Sequence, residues 1–444
     1  MTFADLNLNK PLLNALQDLG YTTPTTIQHR AFSAMMSGRD VCGIAQTGTG
    51  KTFAYLLPIL RQWEFSKDRF PTVLIMVPTR ELVAQVVESV HQLTPYLRVV
   101  TEGFYGGVNM NPQMDRASQK IDIVVATPGR LVDLILSGAL KMKAIKKVVI
   151  DEVDEMLNLG FRTQIKHVLD LLPLRRQNTM FSATITDEVQ ALIQTFFNEP
   201  LIIEAAPAGS PLANIQQIAY EVPNFNTKVN LLEKMLREDA TMTKVLVFAA
   251  TKALADDLFE KLEPAFPGRV GVIHSNKEQN HRFNTVKQFQ EGNYRFIIAT
   301  DIIARGLDVA EVSHVVNLDA PEVPEDYIHR IGRTGRADRP GVAILFKTEQ
   351  EQPLVEKIEA LMHYQIPTLP LPADVEISNV LIESELPPPL FVKNVEIRLP
   401  KAEPRGPAFH EKKAKNKKVN VKVSHKDKMK AKYGKPKKRG AKKK

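Results

Sequence analysis

Eight residues constrain this chain most: Ala45-Gln46-Thr47-Gly48-Thr49-Gly50-Lys51-Thr52. An apolar run, Val41 to Ile44, enters the segment. A helix-compatible run, Phe53 to Leu60, leaves it. Strand, glycine-rich turn, Lys-Thr and helix make the arrangement that cradles a nucleotide phosphate. Gly48 and Gly50 let the backbone approach an anion with its N–H groups turned inward. The following helix offers its positive N-terminus to the same charge. Lys51 can reach the β- and γ-phosphates, and the Thr52 hydroxyl can ligate Mg²⁺. A tight strand–helix turn that binds nothing is the lesser alternative for this one segment, and the rest of the chain decides.

At 444 residues the chain has room for two to three domains, each with its own core. No apolar run is long enough to span a bilayer. Met1 to Lys10 has neither the basic start nor the apolar core of a secretory signal. The single cysteine, Cys42, forms no internal disulfide and fits a reducing cytosol, so a cytoplasmic protein is expected. The net charge of +9 conceals an uneven distribution. Residues 401–444 carry 19 Lys/Arg against 3 Asp/Glu, a net of +16, whereas the first 400 carry 40 against 47, a net of −7.

Along the chain, Phe3 and Gly20–Gln28 come first. The Gln28 amide both donates and accepts, which suits the edge of adenine, and Phe3 could stack on the base. After the phosphate loop, Thr72–Val77, Ile121–Ala126, Lys147–Ile150 and Asn178–Phe181 read as short, β-branched, buried strands. Alternation of strand and helix implies a parallel sheet with helices on both faces, and ligands bind at the carboxyl ends of such strands. Asp151-Glu152 follows one of these strands directly. Asp151 is placed to hold Mg²⁺, and Glu152 to orient or deprotonate an attacking water. An acidic helix start is the alternative for the pair, and the phosphate loop upstream favours catalysis.

Residues 204–214, rich in Ala, Pro, Gly and Ser, read as a linker. A second alternating unit follows, with strands expected at Lys244–Phe248, Val270–Ile273, Tyr294–Ala299, Ser313–Asn317 and Val342–Phe346. It has no phosphate loop. It has instead a cationic stretch, His329-Arg330-Ile331-Gly332-Arg333-Thr334-Gly335-Arg336, in which Arg333 and Arg336 share a helical face. Arginines reaching across a cleft can stabilise a transferring phosphoryl group; a surface basic helix would show the same residues.

Taken together, these segments resemble the DEAD-box family of ATP-dependent RNA helicases. The resemblance runs from Phe3 to Lys347, in family order and spacing, through about ten short motifs. It implies that Phe3, Tyr21 and Gln28 belong to the adenine-reading motif, and that Gln46, Thr47, Gly48, Thr49, Gly50, Lys51 and Thr52 hold the phosphates. Pro78-Thr79-Arg80, Gly106-Gly107 and Thr127-Pro128-Gly129-Arg130 resemble the RNA-contacting motifs of the first domain. Ser182 and Thr184 resemble the motif that links the ATP state to RNA, and Phe248 stands where another motif places a phenylalanine. Gln279 and Arg282 match a Gln-x-x-Arg RNA contact. Thr300 would meet RNA and Asp308 the ribose. His329–Arg336 resembles a further catalytic motif that includes His329, with Arg333 and Arg336 as fingers on the γ-phosphate. The name-giving motif reads Asp151-Glu152-Val153-Asp154, with Val where the family has Ala. The acids are kept, so the class is unaffected, and the added methyls bear on rate and coupling.

The expected architecture is α/β: a RecA-like domain over 1–203, the linker 204–214 and a second RecA-like domain over 215–365. A proline-rich extension over 366–400 and a Lys-rich disordered tail over 401–444 follow. The expected activity is RNA-stimulated ATP hydrolysis with Mg²⁺, coupled to local unwinding of short RNA duplexes or remodelling of RNA–protein complexes. Binding to RNA would be through its backbone and independent of sequence, because the candidate loops offer N–H, hydroxyl and guanidinium groups and no aromatic platform. Ribosomal and mRNA complexes are both compatible partners. The short N-terminus leans towards a compact bacterial enzyme, and the oligomeric state is unreadable. Two rivals remain: an ATP-dependent RNA clamp with little unwinding, and a DNA-directed motor.

Overall fold

A computed structural model describes residues 2–45, 49–204, 214–301, 312–335, 340–386 and 424–434. Seven parallel strands build a first sheet: β1 (Val41–Ile44), β2 (Val73–Met76), β3 (Thr101–Phe104), β4 (Ile123–Ala126), β5 (Lys147–Ile150), β6 (Gln177–Ser182) and β7 (Leu201–Glu204). Their spatial order is β3-β4-β2-β5-β6-β1-β7. Seven more build a second: β8 (Ile215–Glu221), β9 (Val245–Phe248), β10 (Val270–Ile273), β11 (Phe296–Ala299), β12 (His314–Asn317), β13 (Gly341–Lys347) and β14 (Thr368–Leu369). Their order is β10-β11-β9-β12-β13-β8-β14. Matching β1–β7 to β8–β14 in turn gives one and the same strand order. These are two RecA-like sheets in tandem, as expected.

The sequence forms buried strands because both of their faces are covered. Along β2, Val73 and Ile75 enter one apolar cluster while Leu74 and Met76 enter another on the opposite face. The same alternation runs along β4, where Ile123 and Val125 face one way and Val124 and Ala126 the other. Helices between successive strands supply both covers, so these strands read as unbroken apolar runs. Cys42 is buried in the second of these clusters. Among the described residues no helix is long and apolar enough to cross a membrane.

The second sheet continues beyond residue 365, where the sequence places its end. Thr368 and Leu369 form β14 against β8. The chain then runs as a strap over the helix Phe225–Glu238. Asparagine side chains tie it down: Asn224 donates to the Ser378 carbonyl at 2.6 Å, Asn226 to Val380 at 2.7 Å and Asn230 to Glu376 at 2.8 Å. Val375 is buried in the core beneath.

Both sheets and the strap lie in one compact unit ending at Leu386; the C-terminal segment forms a second unit. In that second unit Ser424 caps a helix, His425–Tyr433, whose described side chains are exposed. A nine-residue helix with no buried side chain among its described residues is marginal in water. The linker residues 205–213 fall outside the described residues, as do 387–423 and 435–444.

Candidate nucleotide and RNA site

The strand order sorts the candidate residues into two groups. Loops after β1, β5 and β6, which are neighbours in the order β5-β6-β1, carry the phosphate-loop residues, Asp151-Glu152 and Ser182–Thr184. Loops after β3, β4 and β2, also neighbours, carry Gly106-Gly107, Thr127–Arg130 and Pro78–Arg80. Segments distant in sequence therefore converge on the carboxyl ends of one sheet.

Lys51 opens the helix Lys51–Arg61 and is 6% exposed. Its ammonium group is buried and has no hydrogen-bond partner among the described residues. A buried cation left in that state calls for an anion. Gly50, just before it, has φ +87°, and a Cβ there would strike the Gln28 amide at 2.5 Å, so only glycine fits on two counts. Gln28 donates to the Gly50 carbonyl at 3.2 Å and accepts from the Thr25 N–H at 2.9 Å. The residue expected to read the base is thus bonded to the phosphate loop. Phe3 is buried, and Tyr21 is half exposed and meets Phe53 edge-on at 5.4 Å. Phe3, Tyr21, Gln28, Lys51, Asp151 and Arg333 all line one cleft of about 780 Å³. Phe53 lines it as well and was not singled out in the sequence; its place directly after Lys51-Thr52 was the available signal. Gln46, Thr47, Gly48, Asp308 and Arg336 lie outside the described residues.

The acids stand around Lys51. Burial raises the Asp151 carboxyl, against the pull of Lys51. Burial likewise pushes Glu152 up to about 7, with the Asp151 charge adding to it and Lys51 and Arg333 opposing. Glu152 has a φ of +51°, the left-handed region that a residue with a side chain adopts only when its surroundings fix it. Val153 is fully buried among the apolar residues behind the helix Val153–Asn158. Asp154 accepts from the N–H groups of Ala183 and Thr184 and from the Thr184 hydroxyl, each at 3.0 Å. Burial would raise its carboxyl, but His329, Lys51 and the Thr184 N–H together hold it below the usual carboxylate range. Ser182 donates to the Thr184 carbonyl at 2.6 Å, closing that turn.

The second sheet meets the first here. His329 lies 3.9 Å from the Asp154 carboxylate, and Arg333 lines the same small cavity as Lys51 and Glu152. Further along, Arg282 pairs with Glu81 at 2.9 Å, with 3% and 5% of their side chains exposed. The sequence assigns Arg282 to RNA; the structure places it as a join between two helices, Arg80–Leu93 and Gln279–Gln290. Phe248 is buried with the Arg330 guanidinium 5.1 Å from its ring centre.

Among the residues expected to meet RNA, Thr79 caps its helix by accepting the Leu82 N–H at 3.3 Å, and Arg80 is part-exposed beside Gly107. Gly107 has φ +79°, and a Cβ there would press on the Arg80 guanidinium. Arg130 is buried and donates to the Val108 carbonyl at 2.9 Å, so it braces the glycine loop. Thr127 is buried ahead of Pro128 and Gly129 at the start of the helix Pro128–Leu136. Thr300 is buried after β11, next to Asp301. Gln279 opens its helix.

Two RecA-like sheets with a buried phosphate-loop lysine, paired acids and an arginine from across the cleft define a phosphate-loop nucleoside triphosphatase. Family models match at residues 25–192, "DEAD/DEAH box helicase", and 227–338, "Helicase conserved C-terminal domain". The RNA helicase CrhR of Synechocystis sp. is 38% identical over 382 residues, 86% of this chain and 77% of that protein. The DEAD-box ATP-dependent RNA helicase CshA of Geobacillus kaustophilus is 37% identical over 358 residues, 81% and 76% respectively. Among solved structures, Mss116p bound to single-stranded RNA and AMP-PNP aligns with a TM-score of 0.77 at 27% identity, covering 84% of this chain and 80% of that one. S. cerevisiae Dbp5 bound to RNA and ADP BeF3 aligns at 0.75 and 28% identity, covering 83% and 95%. The chain belongs to the DEAD-box family of ATP-dependent RNA helicases, and is an ATP-hydrolysing enzyme.

Proposed function

We propose that this chain binds ATP in the cleft between its sheets and RNA across the loops after β2, β3 and β4 and the region of Thr300, and that hydrolysis resets a closed, RNA-gripping state. The observation that carries the reading is the buried Lys51 ammonium, without a hydrogen-bond partner among the described residues, in one cavity with Glu152 of the first sheet's side and Arg333 of the second's. Phe3, Tyr21 and Gln28 take the adenine, and residues 46–52 the phosphates. Arg333, with Arg336, balances charge on the γ-phosphate. Glu152, near 7, can take a proton from the attacking water at neutral pH. Thr52 and the buried Asp151 carboxylate fit Mg²⁺, which when bound would supply positive charge to the phosphate oxygens. Asp308 takes the ribose.

RNA gripped through its backbone by both sheets is bent, so one strand of a short duplex is lost locally. The 2′-OH distinguishes RNA from DNA. The two sheets act as two domains, 1–203 and 215–365, the second enlarged by the strap. Residues 401–444 add a sequence-independent hold on RNA. Deleting them is expected to flatten the salt dependence of binding by about 0.7 in log–log slope per lost phosphate contact. Cytoplasmic RNA, in ribosomal or mRNA complexes, is the proposed setting.

The test is steady-state ATP hydrolysis with and without single-stranded RNA, with Lys51→Ala as the blank and DNA as competitor. Stimulation by RNA that Lys51→Ala abolishes supports the reading. ATP binding with no RNA-stimulated turnover would replace it with an RNA clamp.

A further inference from the structure

The shared strand order pairs positions that the sequence does not align. In the first sheet the helix after β1 opens with Lys51, and β5 is followed by Asp151. In the second, the helix after β8 is Phe225–Glu238, which carries Lys228, and β12 is followed closely by Asp319. Lys228 and Asp319 therefore occupy the topological places of the phosphate-loop lysine and the metal-holding acid.

The two lysines differ in what they meet. The Lys51 ammonium has no hydrogen-bond partner among the described residues. Lys228 is buried with its partners built in: Asp319 at 3.1 Å and Glu351 at 3.0 Å. Glu351 comes from the turn Glu349–Glu351 after β13, and its carboxylate faces the lysine as a phosphate would. The position is filled by the chain itself.

Asp319 is also a junction. Its carboxylate accepts the Ala250 N–H at 3.1 Å, just past β9. Its backbone carbonyl accepts Arg330 at 2.9 Å. Arg330 in turn holds both oxygens of Asp301, at 2.6 and 2.7 Å. Glu351 fixes the Ala320 N–H at 3.0 Å. The ends of β9, β11 and β12 and the helix Pro324–Ile331 are thus drawn to one point, and Lys228 is the cation that lets two carboxylates gather there. That helix leads directly to Arg333 in the nucleotide cleft, and Asp301 adjoins Thr300 on the RNA side.

We propose that Lys228 and Asp319 are positioning residues for RNA-coupled ATP hydrolysis. The internal ion pair, standing where the first sheet has its phosphate site, holds Arg330 and through it sets both Asp301 and Arg333. Neither residue lines the nucleotide cleft. The proposal rests on the ATPase reading above.

The experiment is RNA-stimulated ATPase on the full chain for wild type, Lys228→Met, Lys228→Arg and Asp319→Asn, each with its melting temperature. Asn226→Ala, on the strap side of the same helix, is the control. Lys228→Met is expected to lower kcat about tenfold while KM for ATP stays within about twofold, because the lysine that receives the phosphates is on the other sheet. Lys228→Arg is expected to restore at least half of the lost kcat, and Asn226→Ala to leave kcat unchanged. Wild-type kcat in folded Lys228→Met, or a loss that Lys228→Arg does not recover, overturns the proposal. If Lys228→Met does not fold, Asp319→Asn decides. It keeps the size, can still accept the Ala250 N–H and leaves Lys228 paired with Glu351. It is expected to lower kcat about threefold or more, and unchanged kcat overturns the proposal. A wild type without RNA stimulation would instead defeat the ATPase reading.

Discussion

The two sheets have one topology and opposite uses for it. On the first, Gly50 precedes a buried lysine whose ammonium has no hydrogen-bond partner among the described residues, with Asp151, Glu152 and Asp154 acting on it through their charges. On the second, the lysine at the matching place is closed in by two carboxylates. A buried cation kept short of partners makes a ligand site; the same cation satisfied makes a joint. What differs between the sheets is the side chains placed at the carboxyl ends of their strands.

The largest effect that could break this contrast is chemical. Glu152→Gln is expected to cut kcat by a factor on the order of 10²–10⁴ with ATP binding retained, measured by single turnover beside a nucleotide-binding titration. Near-normal turnover would remove Glu152 from the first sheet's chemistry. Next comes the stability of the joint. Lys228→Met leaves two part-buried carboxylates without their buried cation and should cost about 1–3 kcal/mol in urea unfolding. A loss well under 1 kcal/mol would mean that the pair is not buried in solution.

Ligand linkage sharpens the same comparison. A non-hydrolysable ATP analogue with Mg²⁺, at a hundred times its Kd, should stabilise wild type by about 2.7 kcal/mol. That gain should vanish in Lys51→Ala and persist in Lys228→Met. Val153→Ala, which restores the small residue, should cost about 1–2 kcal/mol because it opens space in a fully packed core. An unchanged unfolding midpoint would show that the helix start relaxes to fill it.

The smallest test concerns pH. Asp154 is held below the usual carboxylate range, so at acid pH the unfolded chain binds a proton that the folded chain refuses. Its contribution is complete above the ordinary carboxylate range and is lost as pH falls through the lowered value. Asp154→Asn should therefore lower stability at pH 7 and flatten the acid limb. An acid limb of unaltered steepness would show that Asp154 is not held in this way.

What the sequence reveals depends on whether a residue's partner is near or far along the chain. The central strands β2, β4, β5, β9, β11 and β12 are legible because burial on both faces leaves an unbroken apolar run. β3 reads Thr-Glu-Gly-Phe and is only part-buried at its middle two residues on a sheet edge, and β7 is an edge strand with Leu201 and Ile202 exposed, so neither carries that signal. β14 has only two residues. Although residues 46–48 lie outside the described residues, the phosphate loop is legible as a motif because its glycines, lysine and threonine are contiguous. The bond from Gln28 to Gly50 is not, nor is the burial of Arg282 against Glu81, since each depends on helices brought together by the fold. Lys228 has no local mark at all: an ordinary lysine in an amphipathic helix becomes informative only when Asp319 is seen opposite it.

The Glu81–Arg282 pair has a further consequence, for ionic strength. At 0.1 M salt, exposed charges more than about 10 Å apart are largely screened, whereas a pair withdrawn from solvent is screened far less. The Arg80 guanidinium, 28% exposed in a loop proposed to face RNA phosphates, remains within reach of the salt. Raising the salt should therefore strip RNA from this protein well before it parts the two helices that Glu81 and Arg282 join. A high-salt wash is then a route to the joined chain cleared of nucleic acid, in which basal and RNA-dependent hydrolysis can be separated from the start.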